Sequence, residues 1–344
     1  MTFPRIAIVG FAHSPNVAVT HGTTNGVEML RPCFDKLYAQ LGITRTDIEF
    51  WCSGSSDYLA GRAFSFISAV DSIGAMPPIN ESHVEMDAAW ALYEAWVKIA
   101  TGEVDLALAY GFGKPSAGNT DRTLTLQTDP YTVAPLWPDA RSLGALQARA
   151  GIDSGAWTEA DMAAVAARTF GGDAEELLAA DYVADPLRAH DIAPYADAAG
   201  AVIIASERRA RELVANPAFI TGWDHRIDSP NFGARDLTLS PSTARAGDTA
   251  FGDASRAVDV AEINASFTHQ ELIVKNALRL PDSVRINPSG GSLAGNALFS
   301  AGLQRIGYAA QEILTGNAGT AVAHASSGPL LQQNMVVTLA GENS

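Results

Sequence analysis

An α/β fold is the class this sequence predicts, and three observations carry the prediction. Short apolar runs suited to buried strands alternate with stretches at helical spacing, in the order β-α-β-α-α-β up to Ser116. The second half repeats that outline. Within Ile79–Ser116, an apolar helix of small residues feeds directly into a strand-like run, Val104–Tyr110, as the interior of an α/β protein requires.

In chain order, Arg5–Gly10 reads as the first strand. Asn25–Leu41 follows as an amphipathic helix with Val27, Leu30, Phe34, Leu37 and Leu41 on one side, closed by Gly42. Ile48–Cys52 is a second strand ending in the turn Ser53-Gly54-Ser55-Ser56, and Leu59–Ile73 is helical. Pro77-Pro78 stiffens the approach to the central helix. That helix carries Val84, Ala88, Leu92, Ala95 and Ile99 at helical spacing, with Glu94 and Lys98 placed for an i,i+4 ion pair. Thr101-Gly102 stops it.

Residues from about Ala117 to Asp197 read as an insertion, with a loop at Thr128–Pro138 and a helix starting at Thr158-Glu159. Ala198–Ser206 returns to a strand, followed by the charged helix Glu207–Val214 and the apolar pair Phe219-Ile220. Asp224–Phe251 begins polar and irregular, as a bridge between halves would. The second half then runs through strand Val258–Ile263, helix Thr268–Leu280, strand Val284–Ile286, a glycine-rich turn, a helix through Ile313 and two final strands.

The 344 residues call for one large or two fused units, since a single domain typically has roughly 100–200. A net charge of −15 excludes the basic footprint that nucleic acid needs. No apolar run approaches the ~20 residues of a membrane span, and the N-terminus lacks a signal pattern. Cys33 and Cys52 are too few for a disulfide framework or a cysteine-based zinc site. A soluble cytoplasmic protein without a metal, a membrane or a nucleic-acid partner is the expectation.

Four stretches in order resemble the thiolase superfamily, in its sterol-carrier-protein-x or lipid-transfer branch, over nearly the whole chain. The central helix with Thr101–Gly111 looks like the thiolase helix that bears the nucleophilic cysteine, followed by its strand. Ala261–Phe267, AEINASF, is similar to the asparagine-containing loop. Asn287–Asn296, NPSGGSLAGN, resembles the glycine-rich segment, and Ala323–Pro329, AHASSGP, sits where the family has its terminal cysteine and glycines. The resemblance implies a duplicated five-layered αβαβα sandwich. Its halves would be 1–222, with a loop domain at about 117–189 inserted, and 223–344. It also implies a homodimer, or a heterodimer with a thiolase-like paralogue, for which the run Ala107–Gly111 would form an interior edge.

Aligned on Thr101-Gly102, the family's nucleophilic cysteine falls on Glu85 and its second cysteine on His324. The family histidine falls near Asn296, given a one-residue gap after Gly290-Gly291, and only Asn264 keeps the family residue. A carboxylate cannot form the acyl-thioester of Claisen thiolysis. Glu85 and His324, if both face one pocket, could instead exchange protons with a substrate hydroxyl as a coupled pair, as retro-aldol cleavage of a β-hydroxyacyl-CoA requires. The amide of Asn264 or backbone N–H groups would then support the enolate, with Asn296 a further catalytic candidate. His83, Gly290, Gly291 and Ser326 are the associated substrate-binding candidates, with the CoA thioester as substrate and no cofactor. Some relatives in the lipid-transfer branch that lack the usual cysteines are steroid side-chain aldolases acting with a zinc-ribbon and OB-fold subunit, so the resemblance implies a similar role.

Each position also has a structural reading. Ser82-x-x-Glu85 fits a capping box. His324 and His83 could be packed or capping histidines, Asn264 and Asn296 could hold loops, and Gly290-Gly291 suits a turn with positive φ. A non-catalytic subunit supporting an active paralogue, or a CoA-thioester binding module, are the competing classes.

Overall fold

A computed structural model describes residues 4–22, 26–60, 66–74 and 79–342. The expected helix start at Asn25, the middle of the Leu59–Ile73 block and the pair Pro77-Pro78 lie outside the described residues. In the first part of the chain the strands are β1 (Ile6–His13), β2 (Phe50–Gly54), β3 (Glu81–Val84) and β4 (Leu106–Gly113). A short hairpin follows, β5 (Tyr182–Ala184) with β6 (Leu187–Arg188), and then β7 (Ala198–Ser206). The later strands are β8 (Ala218–Ile227), β9 (Val260–Ile263), β10 (Arg285–Ile286), β11 (Thr320–Ser327) and β12 (Gln333–Ala340).

All but the hairpin join one mixed sheet in the order β10-β9-β11-β12-β8-β1-β7-β4-β2-β3. Counted outward from the middle, the two sides match. β1, β7, β4, β2 and β3 pair antiparallel, antiparallel, parallel and parallel, and β8, β12, β11, β9 and β10 do the same. The sides touch through β1 and β8 at Ala7↔Phe219 and Ile8↔Ala218. β8 crosses the division expected at 222/223.

Strand parity sorts the side chains into layers. Ile6 and Ile8 of β1 face a central core, while Ala7 and Val9 face an outer one. The central core holds the helix Ala88–Ala100 from the first side and the helix Ala301–Leu314 from the second. One outer core packs the helix Leu30–Leu41 on the first side of the sheet, and another packs Pro241–Phe251 and Thr268–Leu278 on the second. With each side of the sheet counted as a layer, helix, sheet side, helix pair, sheet side, helix is a five-layered arrangement.

The first central helix begins later than its apolar spacing suggests. Glu81–Val84 is a strand, and Asp87 caps the helix by accepting from Ala89 N at 2.8 Å. The capping box at Ser82 is therefore not formed. Nor is the Glu94–Lys98 pair, because Glu94 accepts from Ser82 Oγ while Lys98 pairs with Glu103. The stretch after Asp224 is also more regular than its polarity implies. β8 continues to Ile227, and Pro241–Phe251 is helical. The insertion is largely helical, with Thr120–Leu126, Ala140–Ser154, Glu159–Phe170 and Ala174–Leu178.

Two strand glycines seat the first central helix. A Cβ at Gly54 would stand 2.5 Å from the backbone of Ala88, and one at Gly111 would stand 2.6 Å from the Ala88 methyl and 2.5 Å from Phe299 O. Gly54→Ala should push the helix start off the sheet and cost about 1–3 kcal/mol, as overpacking typically does. A chemical-denaturation midpoint equal to wild type would show that the helix shifts freely.

Candidate functional site

A cavity of about 300 Å³ opens where the first central helix begins. The insertion forms one wall of it, and the loop after β9 together with the turn after β11 form the other. Its surface is mostly apolar, with Leu143, Ile192, Phe267 and Leu330 among the lining residues. Among the described residues of that lining, Asp87 is the only carboxylate, Tyr195 the only phenol and Arg141 the only cation.

Asp87 is 3% exposed, and its two oxygens serve both central helices. Oδ1 accepts from Ala89 N at 2.8 Å and from Leu303 N at 3.0 Å, and Oδ2 accepts from Gly302 N at 2.7 Å. Two helix N-termini, each presenting orphan N–H groups and a positive dipole end, thus converge on one carboxylate. Burial pushes its pKa up to about 6, against the pull of those three N–H groups and of Arg305. It therefore titrates close to neutrality, the range a general acid or base needs. Sequence reasoning passed over Asp87. The signal was present, because Asp directly before the apolar run Ala88-Ala89-Trp90 is a favoured N-cap.

The other sequence candidates divide sharply. Asn264 and Ser326 line the cavity. Asn264 Oδ1 accepts from Ser292 Oγ at 2.7 Å, while its Nδ2 is held only loosely by Ser326 O at 3.4 Å. Asn296 also lines the cavity, but its amide is occupied: Nδ2 donates to Ser266 Oγ at 3.1 Å and Oδ1 accepts from Leu298 N at 2.9 Å. Its backbone bridges to Tyr195.

Glu85, His83, His324, Gly290 and Gly291 are not among the lining residues. The Glu85 side chain is 48% exposed and accepts from Asp57 N at 2.7 Å. His83 Nδ1 meets Ser53 Oγ at 2.9 Å and its Nε2 stands 3.5 Å from Glu85 Oε2. This has the connectivity of a Ser–His–Glu nucleophile relay, but Ser53 is 0% exposed and no substrate can reach it. His324 lies on the opposite face of β11 from Ala323 and Ala325, which point into the central core. It is buried against Asn334, and the loss of hydration pushes its pKa down to about 4. Glu85 and His324 consequently have different partners and do not form the expected coupled pair.

Gly290 and Gly291, at φ 91° and 63°, let the loop deliver Ser289 to a buried ion pair. There Arg305 Nη1 donates to Glu262 Oε2 at 2.9 Å and to Ser289 Oγ at 2.6 Å. Neither cysteine lines the cavity, and burial pushes the Cys33 thiol up to about 12 and the Cys52 thiol up as well. Among the described residues no group of three or more His, Cys, Asp or Glu could hold a metal. No helix among them is long and apolar enough to cross a membrane.

Solved structures share this architecture from end to end. An aldolase described as Ltp2-ChsH2(DUF35) matches with a TM-score of 0.79 at 15% identity, covering 100% of both chains. Human mitochondrial 3-ketoacyl-CoA thiolase matches at a TM-score of 0.73 and 18% identity, over 98% of this chain and 99% of that one. The fold is that of the thiolases. The Bacillus anthracis acetyl-CoA acetyltransferase matches the thiolase-like chain at 0.79 and 15%, with the same coverage. No family model and no curated protein matches the sequence.

Proposed function

We propose that this thiolase-like chain binds a CoA thioester and cleaves a C–C bond in its acyl part by a retro-aldol reaction. The acyl part would be a steroid or lipid side chain. The observation that carries the reading is the buried carboxylate Asp87, its pKa pushed up to about 6, at the start of two helices in an apolar cavity where it is the one carboxylate among the described lining residues. Among the described residues no thiol or imidazole lines that cavity, so thiolysis through a thioester-linked acyl-enzyme has no thiolate there. The aldolase of the same fold supports the choice of reaction.

In this reading Asp87 takes the proton of the β-hydroxyl group. The C–O bond becomes a carbonyl, the Cα–Cβ bond breaks, and its electron pair passes into the thioester as an enolate. The loosely held Asn264 amide supports the enolate oxygen. The Asp87 carboxyl then returns its proton to Cα, so the products are a carbonyl compound and a shortened acyl-CoA.

A zinc-ribbon and OB-fold subunit is the proposed partner, by analogy with the two-component description of the aldolase neighbour. The chain would work as a cytoplasmic homodimer or as a heterodimer with a thiolase-like paralogue. One observation favours the competing role of a non-catalytic subunit: both oxygens of Asp87 already accept backbone bonds.

The two readings separate in one assay. A β-hydroxyacyl-CoA is incubated with the chain, alone and with a DUF35-type partner, and shortened acyl-CoA is followed by mass spectrometry. Sedimentation of the same samples should give a dimer. Cleavage only when an active paralogue is added would assign the chain to the supporting role.

A further inference from the structure

After β11 the chain reverses through Gly328-Pro329-Leu330-Leu331 into β12. Leu330 and Leu331 have φ of 58° and 55°, so two consecutive branched residues occupy the left-handed region. Such backbone persists only where surrounding contacts force it, and it concentrates at ligand sites. Both leucines are buried, at 6% and 3% exposure, and both line the cavity. Leu298, which also lines the cavity, is left-handed too, at φ 48°.

Polar contacts from outside the cavity hold the turn. Arg235 Nη2 donates to Leu330 O at 2.6 Å, and Asn334 Nδ2 donates to Leu331 O at 2.7 Å. The same amide nitrogen reaches Ser242 Oγ at 2.7 Å, so Asn334 presents NH₂ on that side and its oxygen on the other. That oxygen, Oδ1, lies 2.9 Å from His324 Nε2. The imidazole is neutral because burial lowers its pKa to about 4, and its one proton must sit on Nε2 to meet the Asn334 oxygen. Nδ1 is buried and makes no hydrogen bond of ordinary geometry among the described residues, although the Asn264 backbone beside the ring favours a proton there. His324 is thus spent on orienting Asn334.

We propose that His324 is a positioning residue: through Asn334 it locks the left-handed Leu330–Leu331 turn, and that turn is the wall that selects the acyl group. The proposal rests on the reading of the cavity as an acyl-thioester site, and it deepens that reading by naming what sets the substrate's size. A fixed wall rejects a group that does not match its contour, whereas a turn released from Asn334 relaxes toward extended backbone and the contour is lost.

The test is titration calorimetry of the purified chain with acetyl-CoA, a steroid-acid CoA thioester and free CoA. For the wild type the two thioesters should bind with different affinities. Asn334→Leu and Leu331→Gly should each reduce that ratio by about tenfold, the scale on which apolar pockets discriminate, and leave free CoA unchanged. His324→Ala should follow Asn334→Leu, and His324→Gln, whose amide can donate to Asn334 Oδ1, should restore the ratio. Leu331→Gly suits positive φ and provides a folded variant if the buried polar substitutions do not fold. A wild-type ratio in the folded variants overturns the proposal, as does an equal loss of affinity for free CoA. If the wild type binds no CoA species, the thioester reading itself falls with it, which the titration of unsubstituted protein reveals before any variant is made.

Discussion

Asp87→Asn should lower the rate of β-hydroxyacyl-CoA cleavage by about 10²–10⁴-fold, the usual contribution of a positioned acid–base group. The substitution keeps the size of the side chain and an oxygen to cap the first central helix. It removes the proton exchange. For the wild type, kcat/KM should rise with pH through about 6 and then level off, since the base must be ionised. The variant should lack that limb. Its stability offers an independent readout. A carboxyl whose pKa is raised on folding stabilises the fold fully below its unfolded value and loses that contribution as pH rises through the folded value. Between pH 4 and 8 the wild type should therefore weaken relative to Asp87→Asn by on the order of 3 kcal/mol, whatever the offset between them. Cleavage at the wild-type rate in Asp87→Asn would reduce Asp87 to a double helix cap.

Arg305→Met is expected to cost about 3–5 kcal/mol in denaturant unfolding, because it leaves Glu262 buried and unpaired. Arg305 is 2% exposed and Glu262 1%, so water cannot replace the missing guanidinium. Burial already raises the Glu262 pKa against the opposing pull of Arg305. Without Arg305 it rises further, and Glu262 protonates on folding. The sign follows: the cost should be smallest near pH 4, where the unfolded glutamate is also largely protonated, and should grow toward pH 8. Replacing both partners, as in Arg305→Met with Glu262→Gln, should recover much of the loss. If the single variant is as stable as wild type at pH 8, the pair contributes little to the fold.

The fold was legible because its buried strands are written without interruption. Ala198–Ser206 is small and β-branched throughout, and β7 has those same bounds. The duplication was legible for the same reason. The start of the central helix was not, since Val84 and Ala88 are four residues apart in a strand followed by a helix just as they would be in one helix. The outer end of β8 was hidden by its half-exposed polar residues, Asp224 to Arg226. At the site, spacing against a motif picked out loops that reach the cavity, and Asn264, Asn296 and Ser326 line it. Spacing could not choose between residues two apart, so Glu85 was singled out and Asp87 was not. His324 was assigned by the same counting, although the alternation Ala321, Ala323, Ala325 already placed it on the other face.

The crossing of Asp87 from one half to the other changes what the repeat can be. The second central helix has no side-chain cap of its own, since Ser300 makes none, and its first N–H groups are met by a residue from the other half of the chain. One half supplies the carboxylate, and the helices of both halves supply the N–H groups that restrain it. At this point the two halves are not interchangeable, and neither makes the arrangement alone. Any lineage that split such a chain into separate halves would have to keep them bound to each other.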